Sequence, residues 1–148
     1  MKKHLPSKRD VRLILAEDVR QEMGGKLSLM GVMPGERFLV GGKPPPGLEN
    51  VTFSLPSLAF VFVIGGGEGK AEGRFKVVAP DKRTTIVDVP MEKPIEMSGD
   101  KPTVFATASK PFMGPAFGRY TVVLEIGGTK FSFPMIIEKR PEKLPGTN

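Results

Sequence analysis

The chain lacks cysteine and tryptophan, and holds one tyrosine (Tyr120) and one histidine (His4) in 148 residues. The missing thiols exclude a disulfide framework, thiolate catalysis, zinc–thiolate sites and iron–sulfur ligation. They fit a reducing compartment, and a cytoplasmic location is expected. One histidine, close to the N-terminus, excludes a Ser-His-Asp triad or a histidine metal cluster built from a single chain. Sixteen Asp and Glu leave a two-carboxylate hydrolase formally open. Such enzymes stack sugars on Trp and Tyr, which are scarce here. No signal-peptide hydrophobic region precedes Asp10, and the longest apolar run, Leu58 to Ile64, is far short of a membrane helix. The expectation is therefore no catalytic residue, no cofactor, no metal and no membrane partner.

Glycine (18) and proline (15), by contrast, are abundant and not periodic, so they punctuate short apolar runs as in an all-β domain. The clearest signal lies in the last third. Phe117 to Ile126 and Thr129 to Ile137 alternate in polarity around Gly127-Gly128. A two-residue hairpin turn needs positive φ, which glycine supplies without steric cost. With these two as the loop, Ile126 faces Thr129, Leu124 faces Phe131, Val122 faces Phe133 and Tyr120 faces Met135. All four pairs share one apolar face. Pro134 lies on the mixed face and, without an N–H, belongs at an edge, a bulge or a strand end.

Further strands are expected at Lys26 to Val32, Arg37 to Val40, Thr103 to Ala108, and in a hairpin of Arg74 to Ala79 with Thr84 to Val89. Val11 to Val19 fits both a strand and a helical stripe, and its β-rich context favours the strand. Leu58 to Ile64 is apolar on both faces, which marks a central strand covered by the core on one side and by a loop, tail or partner on the other. Gly41 to Gly47 reads as a stiff Pro-rich loop, Gly65 to Gly73 as a flexible loop, and Met91 to Lys101 as a connection.

Motifs that carry chemistry are sparse. Gly69-Lys70 suggests a phosphate loop, but Ile64 and Ala71 stand where that motif needs glycine and Ser or Thr. Glu17, Asp18, Arg20 and Glu22 lack calcium-loop spacing and read as a solvated strand end. Tyr120 reads as a sandwich strut whose hydroxyl bonds backbone, or as plain core. The net charge of +6 is concentrated near the N-terminus, where Lys2, Lys3, Lys8, Arg9 and Arg12 face only Asp10. That arm is either a solubilising tail or a contact for nucleic acid or an acidic partner. Phe112, Met113 and Phe117 lie in or beside a loop and are either an exposed protein-contact point or a plug over one end of the fold.

The segments Leu15-Ala16-Glu17-Asp18-Val19-Arg20 and Gly24-Gly25-Lys26-Leu27-Ser28-Leu29-Met30-Gly31-Val32, with Leu55-Pro56 and the late Gly118-Arg119-Tyr120, resemble a bacterial family of uncharacterised proteins. The resemblance implies a small β-sandwich and assigns no activity. Together these readings predict an all-β, immunoglobulin-like β-sandwich of roughly 7–9 antiparallel strands. Residues 1–10 form a basic mobile arm, 11–140 one domain and 141–148 a polar tail. The expected function is a non-catalytic binding or structural module acting through protein–protein contact or self-association.

Overall fold

A computed structural model describes residues 4–41, 46–47 and 51–141. Lys2, Lys3, most of the Pro-rich loop and the tail from 142 onward lie outside the described residues. Thirteen strands occur among the described residues: β1 (Val11–Gln21), β2 (Leu27–Val32), β3 (Arg37–Val40), β4 (Phe53–Leu55), β5 (Leu58–Ile64), β6 (Gly69–Ala71), β7 (Gly73–Val78), β8 (Thr85–Pro90), β9 (Ile95–Met97), β10 (Thr103–Ser109), β11 (Phe112–Gly114), β12 (Gly118–Ile126) and β13 (Thr129–Lys139). They form a four-stranded sheet, β10-β5-β1-β2, and a five-stranded sheet, β3-β13-β12-β7-β8, with the small pairs β11-β4 and β6-β9 beside them. The fold is all-β and sandwich-like.

The C-terminal hairpin has the register read from its side-chain pattern, with Tyr120 opposite Met135, Val122 opposite Phe133, Leu124 opposite Phe131 and Ile126 opposite Thr129. Gly127 and Gly128 take φ of 57° and 86°, the left-handed region that a β-carbon would disfavour. Pro134 sits where β13 has β12 on one side and no strand on the other, since β3 pairs only from Ile136 onward.

Alternation explains the core. On β5, Leu58, Phe60, Phe62 and Ile64 face inward, and each is at most 1% exposed. Phe60 and Phe62 lie 4.9 and 5.9 Å, centroid to centroid, from Phe75 of the opposing sheet, and Phe62 lies 6.0 Å from Phe133. Burying such a side chain contributes about 2–3 kcal/mol, so these inter-sheet contacts hold the layers together.

Several expectations are revised. β3 pairs with β13 in parallel, not antiparallel; the long chain between them imposes no tight-turn geometry. The loop Gly65 to Gly73 contains β6, and the connection Met91 to Lys101 contains β9, which pairs with it. Residues 4–10 are not a free arm. The His4 and Glu68 backbones exchange bonds of 2.9 and 2.8 Å, Gly65 N–H donates to the Asp10 carbonyl at 2.7 Å, and Pro6 is buried. The Asp10 carboxylate accepts bonds from the Ser7 amide (3.0 Å) and hydroxyl (2.7 Å), closing a tight turn over Lys8–Asp10.

Candidate partner-contact surface

The two sheets present unlike outer faces. On the five-stranded sheet, Arg74 and Lys76 of β7, Glu125 of β12 and Lys130 of β13 point outward. Arg74 grips Asp88 of β8 with two bonds, of 2.6 and 3.0 Å, and holds its carboxyl below the usual aspartate range. Glu125 lies 3.5 Å from Lys76 and 3.7 Å from Lys130, and Arg37 pairs with Glu138. Each exposed pair is worth at most about 1 kcal/mol. Their combined effect is to give this face a hydrated, charge-paired surface.

The outer face of the four-stranded sheet is apolar. Ala59, Val61 and Val63 of β5 stand between Ala16, Ile14 and Arg12 of β1 and Ala108, Ala106 and Val104 of β10. Only Arg12 in these three rows is charged. The β1–β2 hairpin bends across this face. Asp18, on β1, lies 3.2 Å from Lys110, which follows β10 on the far side of β5. Leu27 and Leu29 of β2 thereby face Val61, Val63 and Val104 across a cleft of about 360 Å³. The Asp18 carboxyl is held below its usual range first by the Val19 amide and then by Lys110. Val104 remains 47% exposed.

The lateral edge beside β10 is reached at its first residue by the preceding connection, where the Thr103 hydroxyl donates to the Glu96 carbonyl at 3.1 Å. β10 pairs with β5 through all seven residues, and among the described residues no strand pairs with its other side. It contains no charge and no proline from Thr103 to Ser109. Beneath it, β8 is the edge of the other sheet, and a cleft of about 550 Å³ opens between them over Phe75, Val89 and Phe105, walled by the connection with Glu92, Lys93 and Glu96. On the opposite side, β1 and β13 flank a cleft of about 410 Å³ over Leu13, Leu15 and Phe133.

The residues singled out in the sequence are not brought together here. Phe112 is 1% exposed, so the exposed Phe-Met contact point is corrected to an internal plug. β11 pairs with β4, which turns Phe112 inward onto Phe53 and Phe60, each 6.0 Å away, and Tyr120 at 6.4 Å. Gly114 permits this closeness, since a β-carbon there would come within 2.6 Å of the Phe53 ring. Met113 is half-buried, and half-buried Phe117 stacks on Phe53 at 5.8 Å. Lys8 and Arg9 are exposed on their turn, and Lys8 shares a small recess with Lys130.

Tyr120 is fully buried and its hydroxyl donates to the Ala116 carbonyl at 2.6 Å. Burial pushes its pKa up, so it stays protonated at neutral pH. Among the described residues no three His, Asp or Glu side chains converge, and no helix is long and apolar enough to cross a membrane. The β10 edge and the folded-back hairpin were missed in the sequence. The one available clue was the absence of charge from Thr103 to Ser109. No protein-family model and no curated protein sequence matches the chain.

Proposed function

We propose that the chain is a non-catalytic binding or structural module of the cytoplasm, an immunoglobulin-like sandwich that works by protein–protein contact. The contact surface is the β10 edge together with the part of the apolar outer face that the β1–β2 hairpin leaves uncovered, around Val104. The observation that carries this reading is the contrast between the two outer faces. One is laced with the Arg74–Asp88 and Lys76–Glu125–Lys130 pairs, while the other presents Ile14, Val63 and Val104 with little charge. A solvent-facing sheet normally alternates apolar and polar residues, so the apolar margin left exposed at Val104, beside the charges Arg12, Asp18 and Lys110, suits a partner. The immunoglobulin-like assignment is supported by Tyr120. It stands near the start of β12 and bonds backbone four residues upstream, as a tyrosine corner does.

The test compares the wild-type chain with Val104→Glu, using light scattering and cross-linking mass spectrometry at micromolar concentration. Ser132→Glu on the charged face is the control. Val104→Glu should abolish association, and Ser132→Glu should leave it intact. Cross-links that map to the charged face, or association indifferent to Val104→Glu, would overturn the reading.

A further inference from the structure

We infer that β10 pairs with β10 of a second copy of this chain, antiparallel about a two-fold axis at Ala106. This rests on the contact reading above and names the partner. An edge strand offers a row of unpaired N–H and C=O groups, and soluble proteins shield such rows with charge, proline, bulges or a covering loop. β10 has no charge, no proline and an unbroken seven-residue register with β5, and the connection before it bonds it at its first residue, Thr103. β2 is also an uncharged edge, but Gly31 interrupts it with a φ of 63°.

The strand is complementary to itself. Ala106 is its midpoint, so a two-fold there opposes Phe105 to Thr107, Val104 to Ala108 and Thr103 to Ser109 of the other copy. Each larger side chain meets a smaller one. On the inner face, Phe105 stacks on Phe62 at 6.2 Å, and in the pair it would be shielded from the open side. Any other centre shortens the ladder. Joining the copies makes one continuous sheet and places the two β8–β10 clefts face to face.

The size fits a reversible dimer. Seven residues at about 3.4 Å each span about 24 Å, and two sheets about 10 Å apart give an edge about 20 Å deep with its side chains. Because the β8–β10 cleft lies within that edge, the footprint is at most about 500 Å² per copy, or about 1,000 Å² in all, the size of a weak, reversible contact. With a chain charge of +6 and no charge on the paired strand itself, salt should screen the mutual repulsion and strengthen pairing. A contact held by ion pairs would respond in the opposite sense.

The experiment is a charge swap at the axis. Wild type should show twice the 16.1 kDa chain mass by light scattering, in a fraction that rises with concentration and with salt. Ala106→Lys and Ala106→Glu should each be monomeric, because like charges meet at the axis, and their equimolar mixture should recover the dimer. Circular dichroism checks that both variants are folded. Hydrogen exchange on the wild type gives a readout free of substitution: the alternate amides of Thr103 to Ser109 that point away from β5 should gain protection as concentration rises. Concentration-independent exchange there, or a dimer that persists in Ala106→Lys, overturns the inference. So does a mass that grows beyond two copies and is stopped equally by Met30→Lys on β2, which would mean head-to-tail assembly. A wild type monomeric at every concentration also overturns it. That outcome leaves the contact reading standing with a different protein as partner, whereas association indifferent to Val104→Glu sinks the reading itself.

Discussion

Replacing Tyr120 with Phe removes one oxygen and leaves the ring. The ring meets Phe53 edge-on at 6.0 Å and Phe112 at 6.4 Å, and Phe preserves both contacts. What is lost is the 2.6 Å hydrogen bond to the Ala116 carbonyl. A bond of this kind contributes about 1 kcal/mol net, and a stranded buried acceptor adds to the loss. Ala116 is half-buried, so water partly replaces the hydroxyl, and the expected cost is about 1.5 kcal/mol. For a domain of this size that lowers Tm by about 3–6 °C. The assay is urea or thermal unfolding followed by far-UV circular dichroism. Fluorescence will not serve, because the variant loses the only tyrosine and the chain has no tryptophan. The m-value should not change. Alkaline pH supplies a second readout. The folded-state pKa lies above the ordinary 10.0, chiefly from burial, so the folded chain keeps a proton that the unfolded chain releases. Wild-type stability from this group is intact below pH 10.0 and falls as pH climbs through the raised pKa. The gap between wild type and Tyr120→Phe should therefore narrow in alkali. A difference below about 0.5 kcal/mol at neutral pH would refute the strut assignment. A gap that widens in alkali would refute the linkage argument.

Two further outcomes follow from the same packing. Phe112→Ala should destabilise by about 3–5 kcal/mol, as loss of a buried aromatic does, and Phe112→Leu by less. A near-neutral Phe112→Ala in chemical denaturation would restore that residue to the surface. Asp81 accepts bonds from the Thr84 hydroxyl (2.6 Å) and from the Thr84 and Arg83 amides (2.8 Å each), which draws its pKa down to about 2. Its contribution is present above the ordinary 3.8 and lost as pH falls toward about 2. Thermal melts should show Asp81→Ala below wild type at neutral pH, with the difference shrinking in acid; a constant difference would exclude the carboxylate as its source.

Features governed by neighbours in sequence were legible, and features governed by sheet order were not. The Gly127-Gly128 turn and the alternation beside it each specify the β12–β13 register, and Tyr120 reads as a strut from its place at the start of that hairpin. Phe112 was ambiguous because its burial depends on β4, far away in the chain. Residues 4–10 read as a free arm because their docking to Gly65 and Glu68 runs through backbone, which no side-chain pattern reports. The same limit bears on function. Leu58 to Ile64 and Thr103 to Ser109 are both seven-residue strands without charge. The first has a strand on each side and is core; the second has, among the described residues, a strand on one side and is half-buried. Sequence can say that neither run resists pairing. Which of them is left with an unused edge is decided by the position of β10 in the sheet, and that position depends on contacts distant in the chain. The proposed interaction site is thus an uncharged strand placed last in its sheet, and only the second half of that statement required the fold.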